Sequence, residues 1–150
     1  GGVLIISSDG QASYEPGTPL NLNPGESISW QSMPGTPVLP EGSIILGQSY
    51  QLDAFPTSLA ESGNVKIQFQ EPTPNPDKML AIYFWNGVEW QRLPTSFTTP
   101  IANFHFDSTS FAHTQIPDGL KVAVAPSQGV GVYAILESPA NKIFLPFVQR

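Results

Sequence analysis

His105 and His113 are the only imidazoles in the chain, so general-base chemistry near neutral pH would centre on them. A hydrolytic triad needs a nucleophile held against such a base, and an acid to orient it. Serines are plentiful, yet none stands in a Gly-x-Ser-x-Gly elbow. His105 lies between Phe104 and Phe106, and strand alternation turns it outward, away from both rings. His113 follows Phe111-Ala112 near a strand end. Both read as surface or hydrogen-bonded histidines. They could meet across a hairpin, but no third metal ligand is indicated. The 12 acids are spread singly from Asp9 to Glu137, without an Asp-x-Asp-x-Asp calcium loop. A loop site built from Asp9, Asp77 or Asp118 with backbone carbonyls stays open. With no cysteine, thiolate catalysis, disulfides and cysteine zinc sites are excluded. A glycosidase needs two carboxylates facing across a cleft, and so short a chain seldom builds a deep one. No lysine follows Gly129-Val130-Gly131 as a phosphate loop requires. The expectation is a non-enzyme with no cofactor and no metal.

The aromatic residues are more informative. Trp85 and Trp90 bracket the turn Asn86-Gly87, and Tyr83 shares the face of Trp85. Leu80, Ile82 and Phe84 take the opposite face, and one of the two must be the core. Exposed rings stack against the apolar face of a pyranose, so Trp30, Tyr83 and Trp85 are candidates for carbohydrate binding. The structural alternative is a cross-strand aromatic pair within the sheet or beneath a loop.

The elements that position these residues read as short strands. Glycine and proline together make 29 of 150 residues and punctuate the chain too often for helices. Val3–Ser7 ends at the turn Asp9-Gly10, and Gln11–Glu15 returns. Leu20–Leu22, Ser27–Ser32, Ile44–Leu46 and Ser49–Phe55 follow, with Pro34, Pro37 and Pro40 in the loop between the second and third. Val65–Gln70 alternates most cleanly, with Val65, Ile67 and Phe69 inward. After a loop rich in proline, Met79–Trp85 and Glu89–Leu93 form the strongest hairpin signal. Phe104–Phe106 and Phe111 suggest two more short strands. Leu120–Ala125 and Gly129–Leu136 close the series, the latter with Val130, Val132, Ala134 and Leu136 on one side. Such regular short strands predict an all-β fold, an antiparallel β-sandwich of about ten strands. The predicted core includes Ile67, Phe69, Leu80, Ile82, Phe84, Trp90, Val132 and Ala134. Pro139 is expected to break the sheet, dividing a domain over 1–138 from an apolar tail over 139–150.

Composition narrows the partners. A net charge of −6, from 6 bases against 12 acids, leaves no basic face for nucleic acid. No apolar run approaches the roughly 18 residues of a membrane helix, so no membrane insertion is expected. Gly1 opens directly on a strand-like segment, so a secreted protein would be represented by its mature part. Val3, Leu4, Ile5 and Ile6 are apolar on both faces, as are Ile143, Phe144, Leu145, Phe147 and Val148 beyond the closing strand. Either segment could tuck against its own subunit or add a strand to a neighbour.

Two stretches carry a resemblance. The opening Gly1-Gly2-Val3-Leu4 with Ser8-Asp9-Gly10, the run from Met79 to Pro94, and the close Gly131–Leu136 resemble ZU5-like β-sandwich domains of bacterial surface proteins. The tail from Asn141 to Arg150 is similar to a Leu-Pro motif that closes many secreted proteins of Chloroflexi. The resemblance implies an extracellular or cell-surface location and a structural or adhesive role, with no catalytic residues to carry over. Its expected partners are other copies of itself as a homopolymer, other surface proteins, or glycans.

Overall fold

The computed structural model describes residues 4–100 and 119–140. Ten strands fall within these residues: β1 (Ile5–Ile6), β2 (Ala12–Glu15), β3 (Ser27–Ser32), β4 (Ile44–Phe55), β5 (Asn64–Gln70), β6 (Lys78–Trp85), β7 (Trp90–Arg92), β8 (Ser96–Thr98), β9 (Leu120–Pro126) and β10 (Gly131–Pro139). One turn of 3-10 helix, Thr57–Ala60, follows β4. The strands form two antiparallel five-stranded sheets, in the orders β1-β2-β5-β9-β8 and β3-β4-β10-β6-β7. The protein is an all-β sandwich, as its strand spacing predicts.

Alternation explains the interior. Val65, Ile67 and Phe69 of β5 are buried while Lys66, Gln68 and Gln70 between them are not. Ile82 and Phe84 of β6 and Tyr133 and Ile135 of β10 enter the same core from the second sheet. A row of rings crosses that sheet: Phe84 lies 4.9 Å from Tyr133, Tyr133 5.8 Å from Trp30, and Trp30 stacks on Tyr50 at 5.5 Å. The first sheet supplies small residues to this core, Ala12, Ala123 and Ala125, so large and small side chains interdigitate.

Several expectations are corrected. Ile44–Leu46 and Ser49–Phe55 are one strand, kinked at Gly47 (φ 81°), where its register with β10 slips between Tyr133 and Ile135. Leu20–Leu22 is not a strand, and β8 was not anticipated. Pro139 does not break the sheet; it is the last residue of β10 and pairs with Lys78. Val132, Ala134 and Trp90 do not enter the main core. They lie on the outer face of the second sheet, because Tyr133 and Ile135 occupy the inner one. Leu80 is partly buried against the main core. The expected strands at Phe104–Phe106 and Phe111 lie outside the described residues.

The two ends of the sandwich differ. β5 runs from Asn64 to Gln70, and β2 and β9 return antiparallel to it, so Glu15 and Pro126 sit at the Asn64 end. β1 therefore starts at the Asn64 end, since Ile5 pairs with Tyr14 and Ile6 with Ser13. The loop after Pro126 is tied to Gly63 and carries the chain into β10, which finishes at the opposite, Gln70 end.

Candidate functional site

The aromatic candidates do not form one platform. Trp30 is on the inner face of β3 and only 2% exposed, stacked on Tyr50. Tyr83 is on the outer face of β6, 9% exposed. Its hydroxyl is 3.0 Å from Ser138 Oγ. A separate apolar cluster covers it: Ala81, Ala134 and Leu136 in the sheet, with Leu39 of the proline-rich loop, Ile45 and Trp90 packed on them. Trp90 Nε1 donates to the Val38 carbonyl at 2.9 Å and fastens that loop over the sheet. Trp85 keeps partial exposure, tilted against Trp90 with centroids 5.6 Å apart. The apolar outer face of Met79–Trp85 is therefore a second, smaller core. Leu39 within a run of prolines was the signal for it, since an apolar residue in a polar loop needs something to cover.

All four tyrosines are buried and hydrogen-bonded to loops or neighbouring strands. Tyr14 donates to the Ser62 carbonyl, tying β2 to the turn before β5. Tyr133 donates to the Gly129 carbonyl at 2.7 Å and accepts from Gln128 N at 2.8 Å, holding the turn that leads into its own strand. Tyr50 donates to Asp9 Oδ2 at 2.7 Å, linking the β1–β2 turn of one sheet to β4 of the other. Burial raises the pKa of Tyr14, Tyr50 and Tyr133, and the hydrogen bond to and charge of Asp9 raise that of Tyr50 further.

Asp9 is the hub of a polar knot. Its Oδ1 accepts from Ser7 Oγ at 2.6 Å and from Gln11 N at 2.9 Å. Ser7 Oγ in turn accepts from Ala12 N at 3.1 Å. The knot borders a cleft of about 370 Å³ at the Gln70 end, between the β1–β2 turn, the Gly47 kink of β4 and the second half of β5. Leu46, Gln48, Ile67 and Phe69 are among the residues that line it, as are Gln11 and Gln68, whose side chains alternation turns to the face of the sheet opposite Ile67 and Phe69. Gln68 Nε2 donates to Gln11 Oε1 at 3.1 Å, while Gln68 Oε1 is buried and lacks a hydrogen-bond partner. Sequence reading missed this cleft, because it arises from β4 and β5 meeting across the two sheets.

The other candidates are dispersed. Asp9 and Asp77 lie in different turns, and among the described residues no group of three histidines, cysteines or acids could hold a metal. Asp118, His105 and His113 lie outside the described residues. Of the terminal segments, Ile5 and Ile6 pair within their own subunit and Leu4 is half-buried beside them. Val3, Ile143, Phe144, Leu145, Phe147 and Val148 lie outside the described residues.

Fold and cleft define the class, a two-sheet antiparallel β-sandwich with a cleft at one end of the sheets. No protein-family model, curated protein or solved structure matches the chain.

Proposed function

We propose that the chain is a non-enzymatic, extracellular β-sandwich with a structural or adhesive role in a surface assembly. The observation that carries this reading is the path of the chain. β1 starts at the Asn64 end of the sandwich, and β10 finishes at the Gln70 end. A first and a last described strand that start and finish at opposite ends of the sheets suit a module placed in a serial array. The committed hydrogen bonds of the tyrosines, each tying a loop or strand, suit a rigid spacer. The resemblance to ZU5-like surface domains and to the Leu-Pro tail points the same way.

In the assembling form of this reading, an apolar terminal segment adds to a sheet edge of a neighbouring copy, a head-to-tail contact that builds an open filament. The donor proposed is the segment Ile143–Val148, which lies outside the described residues; Ile5 and Ile6 pair with β2. The test is negative-stain electron microscopy of the full chain at rising concentration, beside a panel of hydrolase substrates. Filaments or oligomers without turnover are expected. Turnover of any substrate, abolished by a point substitution, would overturn the reading.

A further inference from the structure

We propose that the segment 141–150 seats its apolar residues over the Gln70 end of its own sandwich, and that this seat competes with donation of the segment to a neighbouring copy. The competition rests on the donor reading of the proposed function; the seat does not. The two ends of the sandwich are finished differently. At the Asn64 end, Leu59 and Ala60 of the 3-10 turn pack into the main core, and Ser127 Oγ donates to the Ala60 carbonyl at 2.6 Å. At the Gln70 end, the main core takes no residue from the described loops 7–11, 33–43 and 71–77. Alternation along β4 turns Ile44 to the inner face with Leu46, yet Ile44 is 54% exposed. Leu46 of β4 and Leu80 of β6 also face inward there and are only partly buried. The cleft between β4 and β5 opens beside Leu46. Covering these side chains would remove apolar surface from water.

Reach favours this segment as the cover. Ala140 N donates to the Asp77 carbonyl at 2.8 Å, which anchors the start of the segment at the Gln70 end. Ile44 pairs with Glu137, two residues back along β10 from Pro139. That is about 7 Å along the strand and about 5 Å across to β4. Three extended residues beyond Ala140 span about 10 Å, so Ile143, Phe144 and Leu145 come within range of Ile44, Leu46 and Leu80. Charge agrees. The segment carries Lys142 and Arg150 and no acid, while residues 1–140 hold all 12 acids and four of the six bases. The same segment of a second copy is the rival occupant. It arrives from bulk solution, whereas the chain's own is held near the seat by a linker of a few residues, at an effective concentration on the order of millimolar. Donation to a neighbour therefore requires release from the seat, and the concentration at which copies assemble reports how tightly the seat holds.

The test replaces Phe144 by photoreactive p-benzoylphenylalanine in the full chain and irradiates it at a concentration where sedimentation shows monomer. Tandem mass spectrometry of the digest locates the cross-links. Cross-links within one chain to Ile44, Leu46, Phe69 or Leu80 are expected. Ile44→Glu, at an exposed position, should keep the near-ultraviolet circular dichroism and cut that yield at least five-fold. It should also lower the concentration at which oligomers first appear at least five-fold. The seat is overturned if the label finds other residues, only a second copy, or nothing, or if Ile44→Glu leaves the yield unchanged. A chain that assembles without labelling this end loses the seat and keeps the donor reading. A chain that labels it and assembles at no concentration, with or without Ile44→Glu, keeps the seat and loses the donor reading.

Discussion

Tyrosines buried against their own loops make the protein sensitive to alkali. A phenol whose folded pKa is raised keeps its proton after the unfolded chain has lost it. Its stabilising contribution is complete below the unfolded value of about 10 and declines as pH rises above it. Tyr14, Tyr50 and Tyr133 all lie in this class. We predict that their tyrosinate absorbance appears together with the loss of near-ultraviolet circular dichroism. Tyrosinate forming at its ordinary pKa in a still-folded protein would contradict the burial described. A second residue-scale prediction concerns the core. Ile82 is fully buried between the sheets, and Ile82→Ala should cost about 2–5 kcal/mol in denaturant melts. Val88, 81% exposed at the hairpin tip, should tolerate alanine within about 0.5 kcal/mol. A loss below 1 kcal/mol at Ile82 would undo the face assignment of β6.

At the scale of elements, the turns decide where strands begin. Gly63 precedes β5 with φ 100°, and a Cβ there would stand 2.1 Å from the Glu15 carbonyl oxygen. Gly25 has a similar φ of 88° but open space around it. Both alanine variants carry left-handed backbone strain of about 1–3 kcal/mol, and Gly63→Ala must also displace backbone. Thermal melts should rank Gly63→Ala well below Gly25→Ala, and equal losses would show that the β2–β5 approach is looser than described. β5 and the β6–β7 hairpin were legible because each is a local pattern, strict alternation in one and Asn86-Gly87 between apolar runs in the other. β8 was not, since Ser96-Phe97-Thr98 is too short and polar to show alternation. The single strand β4 was hidden by Gly47, which reads as a stop yet acts as a kink. The face of Val132 and Ala134 could not be assigned from periodicity alone. Both faces of β10 are buried, one by the opposing sheet and one beneath the proline-rich loop. The cleft is further from sequence still, because Asp9, Gly47 and Gln68 converge only when the sheets pack.

At the scale of the molecule, the border strands among the described residues are β1, β8, β3 and β7. β1 has only two residues and β8 three, both short edges of a kind that limits open-ended pairing. Among the described residues β3, with six, is the longest border strand of either sheet, and it is the acceptor the proposed assembly would use. The central claim, a sandwich that assembles through its terminal segment, is tested most directly by sedimentation velocity of the full chain beside a chain ending at Ala140. The account predicts that the full chain forms species that grow with concentration, and that the shortened chain stays folded and monomeric. A full chain that remains monomeric at the highest concentration reached would contradict it.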